Sequence, residues 1–282
     1  MASVIMPDEE ALQTNFDDYW EAYQQGQQLM EDECYEEAIA SYDRALTIRP
    51  NDYWAWYSRA NALHQLGYYQ EALLNYDKAL QYRPNDYWTW YNQGCIALED
   101  LNWFQTAIAC FDAALKVRPN DYWAWFRRGD AFRHLQQYEE AIASYDTAIS
   151  IRGDDYWAWH RRGDALRRWG RYEEAIASYD RALEIYPGDF WGWYKRGDLL
   201  RYLERYEEAI ASYDRALAIH PEDDFAYYNR ACCAAKAGEG EIALKSLGEA
   251  IRLNAENREL AKQDADFNSL RDQPDFERLL EG

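Results

Sequence analysis

Residues Tyr172–Ile185 read YEEAIASYDRALEI, and Tyr186–Tyr194 directly after them read YPGDFWGWY. Tyr172, Ala175, Ile176, Tyr179, Ala182 and Leu183 recur at three- and four-residue steps, which predicts an amphipathic helix. Pro187 stops that helix, and Asp189 stands where a carboxylate would cap the next one. Versions of the same stretch stand at Tyr35–Ile48, Tyr138–Ile151 and Tyr206–Ile219. Pro50, Pro84, Pro119, Gly153, Pro187 and Pro221 mark the register, at intervals of 34, 35, 34, 34 and 34 residues. A period of 34 predicts a two-helix solenoid. Asp52, Asp86, Asp121, Asp155 and Asp223 take the capping place of Asp189 in the other units, and Gly67 and Gly170 mark turns between paired helices. The single 35-residue interval holds an extra residue near Ala97–Leu101, read as a bulge or longer turn.

These residues resemble the tetratricopeptide repeat (TPR) in its bacterial form. The resemblance rests on the second Trp of each YWAW block (Trp56, Trp90, Trp125, Trp159, Trp193) and the small residue four later (Ala60, Gly94, Gly129, Gly163, Gly197). It rests also on the Tyr opening the second helix, on Ala72, Ala141, Ala175 and Ala209, and on the closing Pro. It implies an all-α fold, an α-α superhelix of antiparallel helix pairs with right-handed winding. The division it suggests is an N-terminal segment over 1–18, read as unstructured, then seven repeats over 19–257 (19–52, 53–86, 87–121, 122–155, 156–189, 190–223, 224–257). Residues 258–282 read as capping helices. The second Trp of each pair is expected in the core.

Composition narrows the function. Aromatics make up 17% of the 282 residues, far from the signature of a disordered chain. The formal net charge of -21 repels nucleic acid and anionic membranes at long range, so nucleic acid is disfavoured as a partner. The N-terminus carries no secretion signal, and no membrane-spanning run is evident. Five cysteines without paired spacing suit a reducing, cytoplasmic setting. Nucleophile elbows, phosphate loops and metal-ligand spacings are missing from the sequence, so no catalysis, no metal and no cofactor are expected.

The first Trp of each block is not demanded by the repeat signature. It recurs at Trp20, Trp54, Trp88, Trp123, Trp157 and Trp191, with Phe225 last. Three residues on stand Tyr23, Tyr57, Tyr91, Phe126, His160, Tyr194 and Tyr228, on the same helix face. The resemblance places that face on a concave groove. The rings pack against one another between repeats or form a platform for a ligand chain, and the two are compatible because a packed ladder can still show its faces. Arg127, Arg133, Arg161, Arg167, Arg168, Lys195 and Arg201 make repeats 4–6 basic, and the Asp18–Glu33 helix is acidic. Asp130, Asp164 and Asp198 lie three residues before Arg133, Arg167 and Arg201, and pairing there would neutralise both.

RGD occurs at Arg128–Asp130, Arg162–Asp164 and Arg196–Asp198. Its mid-helix setting opposes an adhesion role. Its Arg is expected to pair with the Asp recurring in the second helices, as in Asp112, Asp146 and Asp180. The chain thus reads as a scaffold binding an extended or helical partner segment with acidic and apolar residues. A self-assembling homo-oligomer is the alternative.

Overall fold

The structure is a computed structural model that describes residues 9–281. Among them every regular element is helical. The chain divides into two compact units, one ending at Gln137 and the other beginning at Tyr138, inside the expected fourth repeat.

The first unit comprises α1 (Glu9–Glu31), α2 (Tyr35–Ile48), α3 (Tyr53–Gln65), α4 (Tyr69–Tyr82), α5 (Tyr87–Cys95), α6 (Phe104–Val117) and α7 (Tyr122–His134). Each helix packs on the next in sequence through α6 and α7. The second unit comprises α8 (Tyr138–Ile151), α9 (Tyr156–Trp169), α10 (Tyr172–Ile185), α11 (Phe190–Tyr202), α12 (Tyr206–Ile219), α13 (Asp224–Ala237) and α14 (Gly240–Leu253). It ends in α15 (Glu256–Gln263), a 3₁₀ helix (Ala265–Leu270) and α16 (Pro274–Glu281). Odd-numbered helices up to α13 are called first helices below, and even-numbered ones up to α14 second helices.

The capping expectation holds. Asp52 accepts from the Ala55 amide at 2.8 Å, and Asp86, Asp121, Asp155 and Asp223 do the same three residues on. Asp189 differs, accepting from Trp191 at 3.1 Å, while its other oxygen receives the Tyr156 hydroxyl at 2.5 Å. Gly67 and Gly170 close their helices at φ +79° and +84°, while Gln136 and Glu204 adopt the same left-handed backbone without glycine's freedom.

Every second helix except α14 buries one aromatic ring near its centre: Tyr42, Tyr76 and Phe111 in the first unit, Tyr145, Tyr179 and Tyr213 in the second; α14 has Leu247 there. Such a ring contributes about 1.5–3 kcal/mol. It lies on the small residue of the facing first helix. At Gly163, the glycine of the second RGD, an added Cβ would stand 2.9 Å from the Tyr179 ring. All three RGD triplets lie inside helices, as expected.

Two expectations change, and the expected bulge takes a definite form. Helix α1 begins at Glu9, so residues 9–18 are helical, and the run EEALQT simply continues the helix; 1–8 lie outside the described residues. The extra residue becomes a π-helical turn, Ile96–Asp100, where the Leu101 amide reaches back to the Ile96 carbonyl. The other change concerns the second tryptophans. Trp56, Trp90, Trp125, Trp159 and Trp193 are only half-buried. Each donates its indole N–H at 2.7–2.9 Å to the loop carbonyl six residues earlier, such as Pro50 or Gly153. An indole tied to a loop carbonyl cannot also fill the centre. The neighbouring core places go to the preceding small residue (Ala55, Thr89, Ala124, Ala158, Gly192) and to Tyr53, Tyr87, Tyr122 and Phe190.

Candidate functional site

The first Trp row is exposed in both units. Trp54, Trp88 and Trp123 in the first are 44–51% exposed, and Trp157 and Trp191 in the second 54% and 60%. Alternation along the helix start explains this. The aromatic before each Trp and the small residue after it turn into the helix packing, which leaves the indole outward. The ring three residues on meets it edge-on, as in Trp54–Tyr57 and Trp157–His160, both at 6.3 Å.

That following row supports more than it presents. Phe126 and His160 are buried, and Tyr57, Tyr91 and Tyr194 are half-buried. The Tyr57 hydroxyl accepts from Asn92 at 3.0 Å, and that of Tyr194 from Asn229 at 2.8 Å, tying successive first helices together. The first row is therefore open and the second row packs.

Arginines that sequence reasoning missed lie over these rings. Arg83 sits 4.5 Å from the Tyr53 ring centre and 5.0 Å from that of Trp54; Arg118 covers Tyr87 and Trp88 at 4.3 and 5.3 Å. The recurring RPND at Arg83 and Arg118 was the available signal.

The expected open basic row is largely paired. Asp130 and Arg133 are both buried and lie 3.5 Å apart; Arg127 reaches Glu99 at 2.5 Å. Lys195 binds Asp164 at 2.8 Å, and Arg201 approaches Asp266 at 3.7 Å rather than Asp198. Asp130, Arg133, Asp164, His160 and Phe126 thus brace the face from beneath, a correction to their reading as groove-lining contacts. Arg168 is exposed, and Arg161, Arg167 and Asp198 are half-buried.

Asp164 and Asp198 occupy the same place in successive units and titrate in opposite directions. Burial raises the Asp164 carboxyl, but Lys195, His160 and the Tyr179 hydroxyl outweigh it and hold it below the usual carboxylate range. Burial prevails at Asp198, which stays raised despite the Tyr213 hydroxyl and Arg201. The residue matching Lys195 beside Asp198 is the neutral Asn229, at 3.4 Å. His160 is held below its usual value by burial and then by Lys195, so it is neutral at pH 7.

The RGD arginines hold helices together, as their spacing predicts. Arg128 binds Asp112 at 2.7 Å, Arg162 Asp146 at 2.6 Å and Arg196 Asp180 at 2.6 Å; Arg59 and Arg230 repeat this with Asp43 and Asp214. Among the described residues, Cys232, Asp264 and Asp266 lie close enough to share an ion. Burial, reinforced by the two carboxylates, pushes the Cys232 thiol far up, so it is a poor ligand as it stands. No helix among the described residues is long and apolar enough to cross a membrane.

Antiparallel helix pairs repeating at 34 residues, with rings displayed on successive first helices, define a helix-repeat solenoid protein. Models of the tetratricopeptide repeat match residues 26–67, 53–86, 89–121, 121–188 and 190–223. The chain belongs to the tetratricopeptide repeat family, whose members are scaffolds for protein–protein interaction. No curated protein sequence matches it significantly. Among solved structures it is similar to the C-terminal part of a TPR repeat-containing protein from Cytophaga hutchinsonii, at TM-score 0.70 and 16% identity over 85% of this chain and 98% of that one. YrrB, described as a TPR protein with an unusual peptide-binding site, aligns at TM-score 0.58 and 24% identity, over 66% and 95% of the two chains. MamA from Desulfovibrio magneticus RS-1 aligns at 0.56 and 23%, over 60% and 95%. At these identities the likeness concerns the fold.

Proposed function

We propose that the first-helix faces bind a segment of a partner protein through the exposed indoles, without catalysis. The observation that carries this reading is the open row, Trp54, Trp88 and Trp123 in one unit and Trp157 and Trp191 in the other. Indoles that recur at one position and remain open need a partner surface to cover them. Apolar side chains of the segment would lie on the rings, and an acidic group would meet Arg168, with Arg167 near it in sequence. The pairing of Arg127, Arg133, Lys195 and Arg201 makes the apolar contacts the larger share. The helix pairs are read as the seven repeats over 19–257, closed by 258–282. Free cysteines at all five positions support work in a reducing compartment such as the cytoplasm.

Selection of displayed random peptides on the full chain tests this. Peptides with aromatic or aliphatic anchors beside Asp or Glu should be enriched, and Trp54→Ser with Trp88→Ser or Trp157→Ser with Trp191→Ser should lose them. Enrichment unchanged by both double variants would overturn the proposal. Light scattering on the same variants addresses the alternative reading, because an oligomer that dissociates on losing these rings would identify a second copy of the chain as the occupant.

A further inference from the structure

From α3 to α13 every first helix carries the brace-forming Arg except α5. Arg59 of α3 joins two flanking second helices, with Nε donating to Asp43 Oδ1 at 2.8 Å and Nη1 to Asn75 Oδ1 at 2.9 Å. Arg162 joins Asp146 and Ser178 at 2.6 and 2.7 Å, and Arg196 joins Asp180 and Ser212, both at 2.6 Å. On α5 the bridging residue is Gln93. Its flanking partners are Asp77, the counterpart of Asp43, and, counting the inserted residue, Cys110, the counterpart of Asn75.

An amide is shorter than a guanidinium and has a single donor arm. Gln93 Nε2 donates to Asp77 Oδ1 at 2.7 Å and reaches the Leu73 carbonyl at 3.4 Å. Its Oε1 is buried without a hydrogen-bond partner, in a side chain belonging to a residue only 4% exposed. An orphaned buried acceptor of this kind is costly unless a donor reaches it. Above it lies a cavity of about 680 Å³ between α4, α5 and α6, walled by Trp90, Trp103, Leu73 and Leu74. That size suits a small ligand or a deep side chain. Trp125, Trp159 and Trp193, the counterparts of Trp90, each carry their own unit's guanidinium within 5.2–6.0 Å of the ring centre.

We propose that this cavity binds an alkylguanidinium group, supplied by an arginine of a partner chain or by a free guanidino compound. The group replaces the missing brace. Its N–H donors meet Gln93 Oε1 and the Asp77 carboxylate, and its plane lies against Trp90. Two separate acceptors beside an indole face select a planar, forked cation over a compact ammonium. Burial, with Asp77 nearby, pushes the Cys110 thiol up to about 12, so it stays neutral and leaves Asp77 as the cavity's anion. This site is distinct from the exposed Trp row, and either can fail without the other.

The test uses the full chain with ¹⁵N-labelled tryptophan, following the Trp90 and Trp103 indole signals. The probes are the peptide acetyl-Gly-Arg-Gly-amide, its citrulline analogue and ethylguanidinium, each taken into the millimolar range. The arginine peptide should shift both signals, and the neutral citrulline peptide should bind roughly tenfold more weakly or not at all. Gln93→Arg supplies the brace internally, as Arg59 does, and should abolish the shift while circular dichroism stays unchanged. Asp77→Asn, at an exposed position, should also abolish it and serves if Gln93→Arg does not fold. Tighter binding of the peptide than of ethylguanidinium assigns a partner's arginine as the source; equal binding assigns a free guanidino compound. No shift with either cation, equal binding of citrulline, or wild-type binding by Asp77→Asn would overturn the proposal.

Discussion

Trp123 and Trp125 stand two residues apart on α7 and meet different surroundings. Trp123 is 44% exposed, whereas Trp125 is half-buried, donates to the Pro119 carbonyl at 2.7 Å and lies under Arg128. Replacing Trp125 with Ala should cost about 2–4 kcal/mol in urea unfolding, through lost packing and the lost loop tie. Replacing Trp123 should cost less than about 1 kcal/mol. Equal losses would show that the loop tie does not distinguish them. His160 gives a second prediction. Its folded pKa lies below the ordinary 6.5, so the unfolded chain takes up the proton first as pH falls. Stability should therefore decline as pH drops from 7.5 through 6.5 and below. His160→Phe, which copies Phe126, should flatten that part of the profile when unfolding midpoints are compared across pH.

The helices themselves were readable from periodicity, because apolar spacing, a capping Asp and a closing Pro all recur in phase. The partner of each side chain was harder to read. Whether an indole fills a core or ties a loop depends on geometry six residues back, as with Trp56 and the Pro50 carbonyl. Whether an Arg is free depends on residues further off, as with Lys195 and Asp164, which are 31 residues apart. Periodicity showed which face Phe126 and His160 share but not how deeply each sits. Helix ends offer a prediction of their own. Glu204 holds φ +59° where Gly170 holds +84°. Glu204→Gly should raise stability by about 1 kcal/mol, and Gly170→Ala should lower it by a similar amount, both read from thermal unfolding.

A chain of repeats is held by contacts between neighbours, so its last pair needs a cover. The 3₁₀ helix and α16 lie against it: Phe267 and Phe276 are buried, Phe267 meets Tyr228 at 5.7 Å, and Asp264 accepts the Tyr228 hydroxyl at 2.9 Å. Removing 256–282 should lower the melting temperature and produce aggregates visible by light scattering, because several kcal/mol of apolar burial is lost. A truncated protein equally stable and monomeric would refute this role for the segment. The π-helical turn at Ile96–Asp100 bears on the history of the gene. DNA that encodes near-identical units invites unequal crossing-over, which adds or deletes whole copies. A copy of 35 residues pairs out of phase with copies of 34, so exchange through it leaves a frame of odd length that any descendant would display. The inserted residue is a birthmark: duplications that arose from this copy after the insertion would carry the extra residue, and none of the other four intervals has that length.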